Sequence, residues 1–374
     1  MGTLSPKDAV DAAISVYTLQ YGSARQMEAF PNLWDRFLFE DANTFSSKTG
    51  AFFLKSKTGF GVMARGKDDN CDEAIITIRG TASAYDWVTD ANVGIQLSST
   101  GRVVHAGFNR TFKEFLPDLQ RFFIENDISK VHCVGHSLGG ALAGLAADYI
   151  SEKNLADVNL YTFGSPRIGY SPFANNLTKK IGSDNIYRVH HKNDIVSLVP
   201  VWPFTHIPSP GISCCIDNHG YSPISAHYKD NYGASMDLYP KWSGLRTVER
   251  AEPASVQIEK WLSMDTLKVF SSYTVSMISK AIQYILKAAG IAVQAGFSVG
   301  FTVLDQLSYA LERAYKVSKE VAGWIEMLMK KILELTGAVY SKVMSITGQF
   351  IRWVMGLLMS AIRLMVTQAV RGNF

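Results

Sequence analysis

Ser137 sits in the run Gly135-His136-Ser137-Leu138-Gly139. An apolar strand is predicted before it over 131–134, and an Ala/Leu-rich helix after it over 138–150. A serine between two glycines at such a turn can serve as a nucleophile. The turn is strained, side chains at Gly135 and Gly139 would clash with strand and helix, and the hydroxyl is pushed into the open above a sheet. The backbone N–H of Leu138 faces the same space. The five-residue pattern alone is weak, because it fits any Gly-rich strand-to-helix turn. A hydroxyl becomes reactive only when an imidazole takes its proton and a carboxylate holds that imidazole in the right tautomer. The carboxylate is Asp194, just past a strand predicted over 186–190. The imidazole is His227, in Ser225-Ala226-His227-Tyr228 after two prolines and a glycine. His219 and His206 also follow Asp194 and stand as alternatives. His190 and His191 lie too close to Asp194 in sequence, and His132 and His136 read as packing around the turn. Serine, acid and histidine in that order imply an α/β-hydrolase arrangement and a serine hydrolase.

Four blocks together resemble the class 3 lipases, the group of the fungal triacylglycerol lipases. They are Ile78-Arg79-Gly80-Thr81-Ala82-Ser83-Ala84-Tyr85-Asp86-Trp87, the GHSLGG turn, Tyr161-Thr162-Phe163-Gly164-Ser165-Pro166-Arg167-Ile168-Gly169, and Arg188-Val189-His190-His191-Lys192-Asn193-Asp194-Ile195-Val196. They come in the family order and span about residues 30–235. The resemblance implies that the backbone N–H groups of Thr81 and Leu138 form an oxyanion hole, each donor typically worth roughly 3 kcal/mol of barrier. It implies a lid carrying Tyr85 and Trp87, short enough to suit phospholipid or partial glycerides as well as neutral fat. It also implies a structural role for His105.

The elements that must position these groups are short strands alternating with helices up to residue 252. We therefore expect an α/β-hydrolase domain over 1–252, followed by an all-α, apolar extension over 253–374. No proline follows Pro253, and apolar residues recur with helical spacing to the end. The extension holds 13 Lys/Arg against 7 Asp/Glu, and no acidic residue follows Glu334. Basic apolar helices suit an anionic bilayer surface. The uncharged run Ala288–Leu304, with Gly296 and Gly300 spaced for close helix contact, is 17 residues long, the lower limit for a span. A soluble bundle packed on the hydrolase is the alternative.

Composition excludes other classes. The chain has 374 residues, 47% of them hydrophobic and 19% charged. Four cysteines give no disulfide framework and no metal-ligand spacing. No cofactor, metal or nucleic-acid partner is expected. The first 20 residues contain Lys7, Asp8 and Asp11 and no uninterrupted apolar stretch, so no Sec-type signal peptide is expected. Ser5-Pro6 should cap a helix running through Leu19. A lipase block, an apolar helical tail and no signal peptide resemble, more faintly, bacterial lipase effectors exported by a signal-less route. A lipid substrate, a membrane surface, and an inhibitory (immunity) or delivery protein are the partners this suggests. A pore-forming protein and a soluble carboxylesterase are the competing functions.

Overall fold

The computed structural model describes residues 2–20, 31–40, 44–49, 56–80, 94–217, 220–247, 255–265, 270–291, 302–339 and 345–373. The chain opens with α1 (Pro6–Ser15) and α2 (Pro31–Arg36). Strands β1 (Phe37–Leu38), β2 (Thr44–Thr49), β3 (Ser56–Gly66), β4 (Glu73–Ile78), β5 (Ile95–Leu97) and β6 (Val103–His105) follow. Next come α3 (Ala106–Glu125), β7 (Lys130–His136), α4 (Leu138–Glu152), β8 (Asp157–Phe163), β9 (Gly169–Tyr170), α5 (Ser171–Ile181) and β10 (Ile186–His191). After these come β11 (Phe204–Thr205), β12 (Ser213–Ile216), α6 (Lys229–Met236) and β13 (Arg246–Thr247). Five helices complete the described chain: α7 (Ser255–Ser263), α8 (Ser272–Ala288), α9 (Val303–Tyr315), α10 (Lys319–Leu335) and α11 (Gly348–Arg371).

One nine-stranded sheet runs β1-β3-β4-β7-β8-β10-β12-β13, with β2 also paired to β3. The stretch β4-β7-β8-β10-β12 is parallel, and its two flanks are antiparallel. Both faces of the parallel stretch are covered, so its strands are buried along their length, as in every residue of β4. On one face lie α3, α4 and α5. Phe108, Phe112, Phe115, Leu119 and Phe122 form the buried stripe of α3 at helical spacing. On the other face α1 packs with α6, and Tyr161, Tyr187, Tyr232 and Trp242 fill the space. This is the α/β-hydrolase architecture, and the parallel strand ends β7, β8 and β10 open on one edge, where ligands bind in such sheets.

Helix α1 stops at Ser15 rather than Leu19, and residues 16–20 tighten into a 3-10 turn. The predicted strand over 51–54 lies outside the described residues. So does most of the uncharged run 288–304. Its described start is not a continuous helix: α8 ends at Ala288, and Gly290 has φ 66°. Among the described residues the one helix long and apolar enough to cross a membrane, by length and composition, is α11. Its residues Ile351, Val354, Met355, Leu358, Ile362, Val366, Ala369 and Val370 are buried against α9 and α10. The same hydrophobic core continues from these helices into the α3–α5 face of the sheet.

Candidate active site

The turn after β7 is built by close approach. Ser137 has φ 59°, a conformation L-residues rarely adopt, and it caps α4 without a side-chain bond of its own. A Cβ on Gly139 would lie 1.9 Å from the carbonyl oxygen of Ile78, so only glycine lets α4 start this close to β4. Leu138 is the first residue of α4, and its N–H therefore has no intrahelical acceptor. That N–H and the hydroxyl of Ser137 share one corner of the molecule.

The three side chains expected from sequence lie together. Ser137 Oγ is 2.9 Å from His227 Nε2. His227 Nδ1 is 2.9 Å from Asp194 Oδ2 and 3.1 Å from Oδ1. All three are buried. A carboxylate can only accept, so Nδ1 carries the proton and Nε2 is left to accept the Ser137 hydroxyl. Burial pushes the Asp194 carboxyl up. The electrostatic attraction of the His227 ring and hydrogen bonds from His227, Tyr232 and the Val196 N–H outweigh it and hold Asp194 below the usual carboxylate range. Gly164, φ 58°, lies directly against this pair. A Cβ there would sit 2.6 Å from Asp194 Oδ2 and 3.0 Å from His227 Nδ1.

Four supporting side chains carry no signature that pattern reading could detect. Tyr232, on the first turns of α6, donates its hydroxyl to Asp194 Oδ2 at 2.7 Å and accepts the His191 N–H at 3.1 Å. His191 donates from Nδ1 to the carbonyl of Ala226 at 2.6 Å, and its Nε2 accepts from Ser235. His136 does more than pack. Its ring stacks on His227 with centroids 4.8 Å apart, and its Nε2–H donates to the His227 carbonyl at 2.9 Å. Its Nδ1 therefore accepts from Tyr17, whose oxygen in turn accepts the N–H of Gly80. Burial, followed by the charge of His227, drives the His136 pKa well below its ordinary value, so the ring stays neutral and this donor order is fixed.

The remaining candidates separate. His206 accepts from Arg167 and Arg188 at 3.0 and 3.1 Å, and burial holds it neutral. His105 packs its ring at a tilt against Phe108 at the start of α3. His132 faces Glu73 at the other end of the sheet. His219, Thr81, Tyr85 and Trp87 lie outside the described residues.

Residues 75–204 match the model of the class 3 lipases. This stretch belongs to the class 3 lipase family. Ser137 and Asp194 fall inside the family match, while His227 lies beyond it. The chain is 34% identical over 151 residues to secreted mono- and diacylglycerol lipase 1 of Fusarium solani, covering 39% of this chain and 44% of that protein. It is 34% identical over 111 residues to toxin TseL of Vibrio cholerae, covering 29% of this chain and 16% of that protein. Each match spans less than half of the relative's length. The crystal structure of the lipase from Rhizopus microsporus var. chinensis superposes with a TM-score of 0.41 at 25% identity, covering 56% of this chain and 72% of that one.

Proposed function

We propose that the chain is a serine hydrolase of carboxylic esters, acting on membrane or micellar lipids in the manner of a lipase or phospholipase A. The observation that carries this reading is the hydrogen-bonded series from Ser137 Oγ through His227 to Asp194. Ser137 attacks the ester carbonyl while His227 Nε2 takes its proton. The N–H groups of Leu138 and Thr81 hold the oxyanion. Collapse of the tetrahedral intermediate breaks the ester C–O bond, and the leaving alcohol takes the proton from His227. Water then repeats the sequence on the acyl-serine and releases the fatty acid. Asp194 orients His227 and stabilises its charged form. Tyr85 and Trp87 are assigned to a lid that contacts lipid.

We assign residues 1–252 to a hydrolase part and 253–374 to a helical part, and lipid-surface contact to the latter. Trp353 and Leu364 are 46% and 62% exposed on α11, beside the exposed Arg352, Arg363 and Arg371. That mix of aromatic, aliphatic and cationic groups suits an anionic lipid surface. The likeness to a toxin supports export as an effector by a signal-less route, with an immunity or delivery protein as partner.

The deciding test is Ser137→Ala in the full chain. Turnover of a p-nitrophenyl ester and release of fatty acid from a mixed phospholipid and triglyceride emulsion should both vanish while the thermal transition stays in place. Retained turnover refutes the mechanism. Product masses identify the lipid class. Trp353→Ala with Leu364→Ala should weaken flotation with anionic liposomes and spare the soluble ester.

A further inference from the structure

Asp194 and His227 both sit on loops beyond the strand ends, where the sheet reaches them through the His191 carbonyl on the Asp194 N–H and the His136 ring on the His227 carbonyl rather than through strand pairing. Two side chains of the helical layer reach those loops. Ser272, the first residue of α8, donates its hydroxyl to the carbonyl of Asn193, the residue before Asp194. Asn373, just past α11, accepts the Lys229 N–H on its Oδ1 at 2.5 Å, two residues after His227.

Both contacts have the marks of built anchors. Ser272 is 2% exposed and Asn373 is 5% exposed. Lys229 opens α6, whose cap residue Tyr228 provides no side-chain bond, so Asn373 caps that helix from 144 residues away. Asn373 Nδ2 is held in turn by the carbonyls of Ala369 and Val370. Gly372 lies against the ring of Tyr228, with no room for a Cβ. A third bond, Trp202 N–H to Ser279 Oγ at 3.0 Å, ties α8 to the segment that follows Asp194.

We infer that the helical layer is a positioning device for the catalytic acid and base, with Ser272 and Asn373 as its positioning residues. This rests on the triad reading above. Ser137 is set independently by β4, β7 and α4, so the helices, together with the His136 and Tyr232 contacts, set the alignment of His227 and Asp194 against a fixed nucleophile. Misplacement by about 1 Å far from the chemistry can lower a rate by roughly 100-fold, so small shifts of these loops register in turnover.

The test uses full-length Ser272→Ala and Asn373→Ala on p-nitrophenyl butyrate, with rates counted per serine titrated by a fluorophosphonate. We expect kcat to fall roughly tenfold in each, with KM within about twofold of wild type. Ser272→Thr, which keeps the hydroxyl, and Asn373→Asp, which keeps the acceptor, should recover most of the rate. Wild-type kcat in both alanine variants overturns the inference. So does a loss that tracks melting temperature and is shared equally by the conservative variants. If alanine gives no soluble protein at either site, Asn373→Gln replaces it, moving the acceptor by one methylene, and unchanged kcat there overturns the inference too. Ser137→Ala in the same assay separates the two readings. Residual turnover in it defeats the hydrolase assignment, whereas an inactive Ser137→Ala beside fully active anchor variants defeats only the positioning role.

Discussion

Replacing Tyr232 by Phe removes one oxygen atom and leaves a ring that packs against Phe163, His136 and His191. Among the described residues three groups donate to the Asp194 carboxylate: His227 Nδ1, the Val196 N–H and the Tyr232 hydroxyl. Deleting one charge-assisted bond of this kind costs about 2 kcal/mol, and the His191 N–H also loses its acceptor. The carboxylate itself stays, held by two donors. The effect should therefore be far smaller than the roughly 10⁴-fold loss seen in serine proteases when the acid becomes an amide. We expect kcat on a soluble p-nitrophenyl ester to fall about tenfold with KM nearly unchanged. Stability gives an independent reading. The folded Asp194 carboxyl titrates below its ordinary value, so it stabilises the fold above the unfolded pKa, and that contribution is lost as pH falls through the folded one. The variant keeps less of this stabilisation. Its deficit against wild type should be largest at pH 7 and shrink below about pH 4. Chemical denaturation at both pH values measures it. Wild-type kcat, together with an equal deficit at both pH values, would refute the argument.

Four further outcomes follow from the site and its frame. His136→Phe keeps the stacked shape but takes the donor from the His227 carbonyl and the acceptor from the Tyr17 hydroxyl, so kcat should drop about tenfold. Tyr17→Phe should show a smaller loss, and wild-type rates in both would exclude a role for this chain. Gly139→Ala drives a methyl group to 1.9 Å from the Ile78 carbonyl and should yield little folded protein in an expression and melting assay. Asp148 is buried. Burial pushes its carboxyl up to about 6, although the Thr100 hydroxyl and Arg102 partly offset this. A raised carboxyl favours folding below its unfolded pKa and penalises it as pH climbs through the folded value. Asp148→Asn should therefore stabilise by up to about 2 kcal/mol at pH 8 and hardly at all at pH 4, as read by urea unfolding.

The nucleophile turn was legible because its requirements are local: a strand, two glycines and a helix start, all within ten residues. Asp194 and His227 were legible because the chemistry demands them in a fixed order. Tyr232, His191, His136 and Tyr17 were not, because each acts through one long-range contact; Tyr17 meets His136 across 119 residues. Asn373 is the extreme case, an ordinary asparagine that caps a helix far earlier in the chain. Two-residue strands such as β9 and β11 have no period to detect. The helical character of the described segments after residue 254 was plain from apolar spacing. Hydropathy alone did not separate a membrane span from a helix buried on the sheet's outer layer, since the same side chains satisfy both.

The inward stripe of α11 decides how that helix can meet a bilayer. Crossing it would keep Ile351, Leu358, Ile362 and Val366 in an apolar medium, so the helix itself would lose little. The loss would fall on α9 and α10, whose buried leucines and isoleucines would be stripped of their cover at about 1.5–3 kcal/mol each. Threading through the membrane thus means dismantling the layer beside the catalytic loops. Lying flat, with Trp353 and Leu364 toward the headgroups, would leave that packing whole.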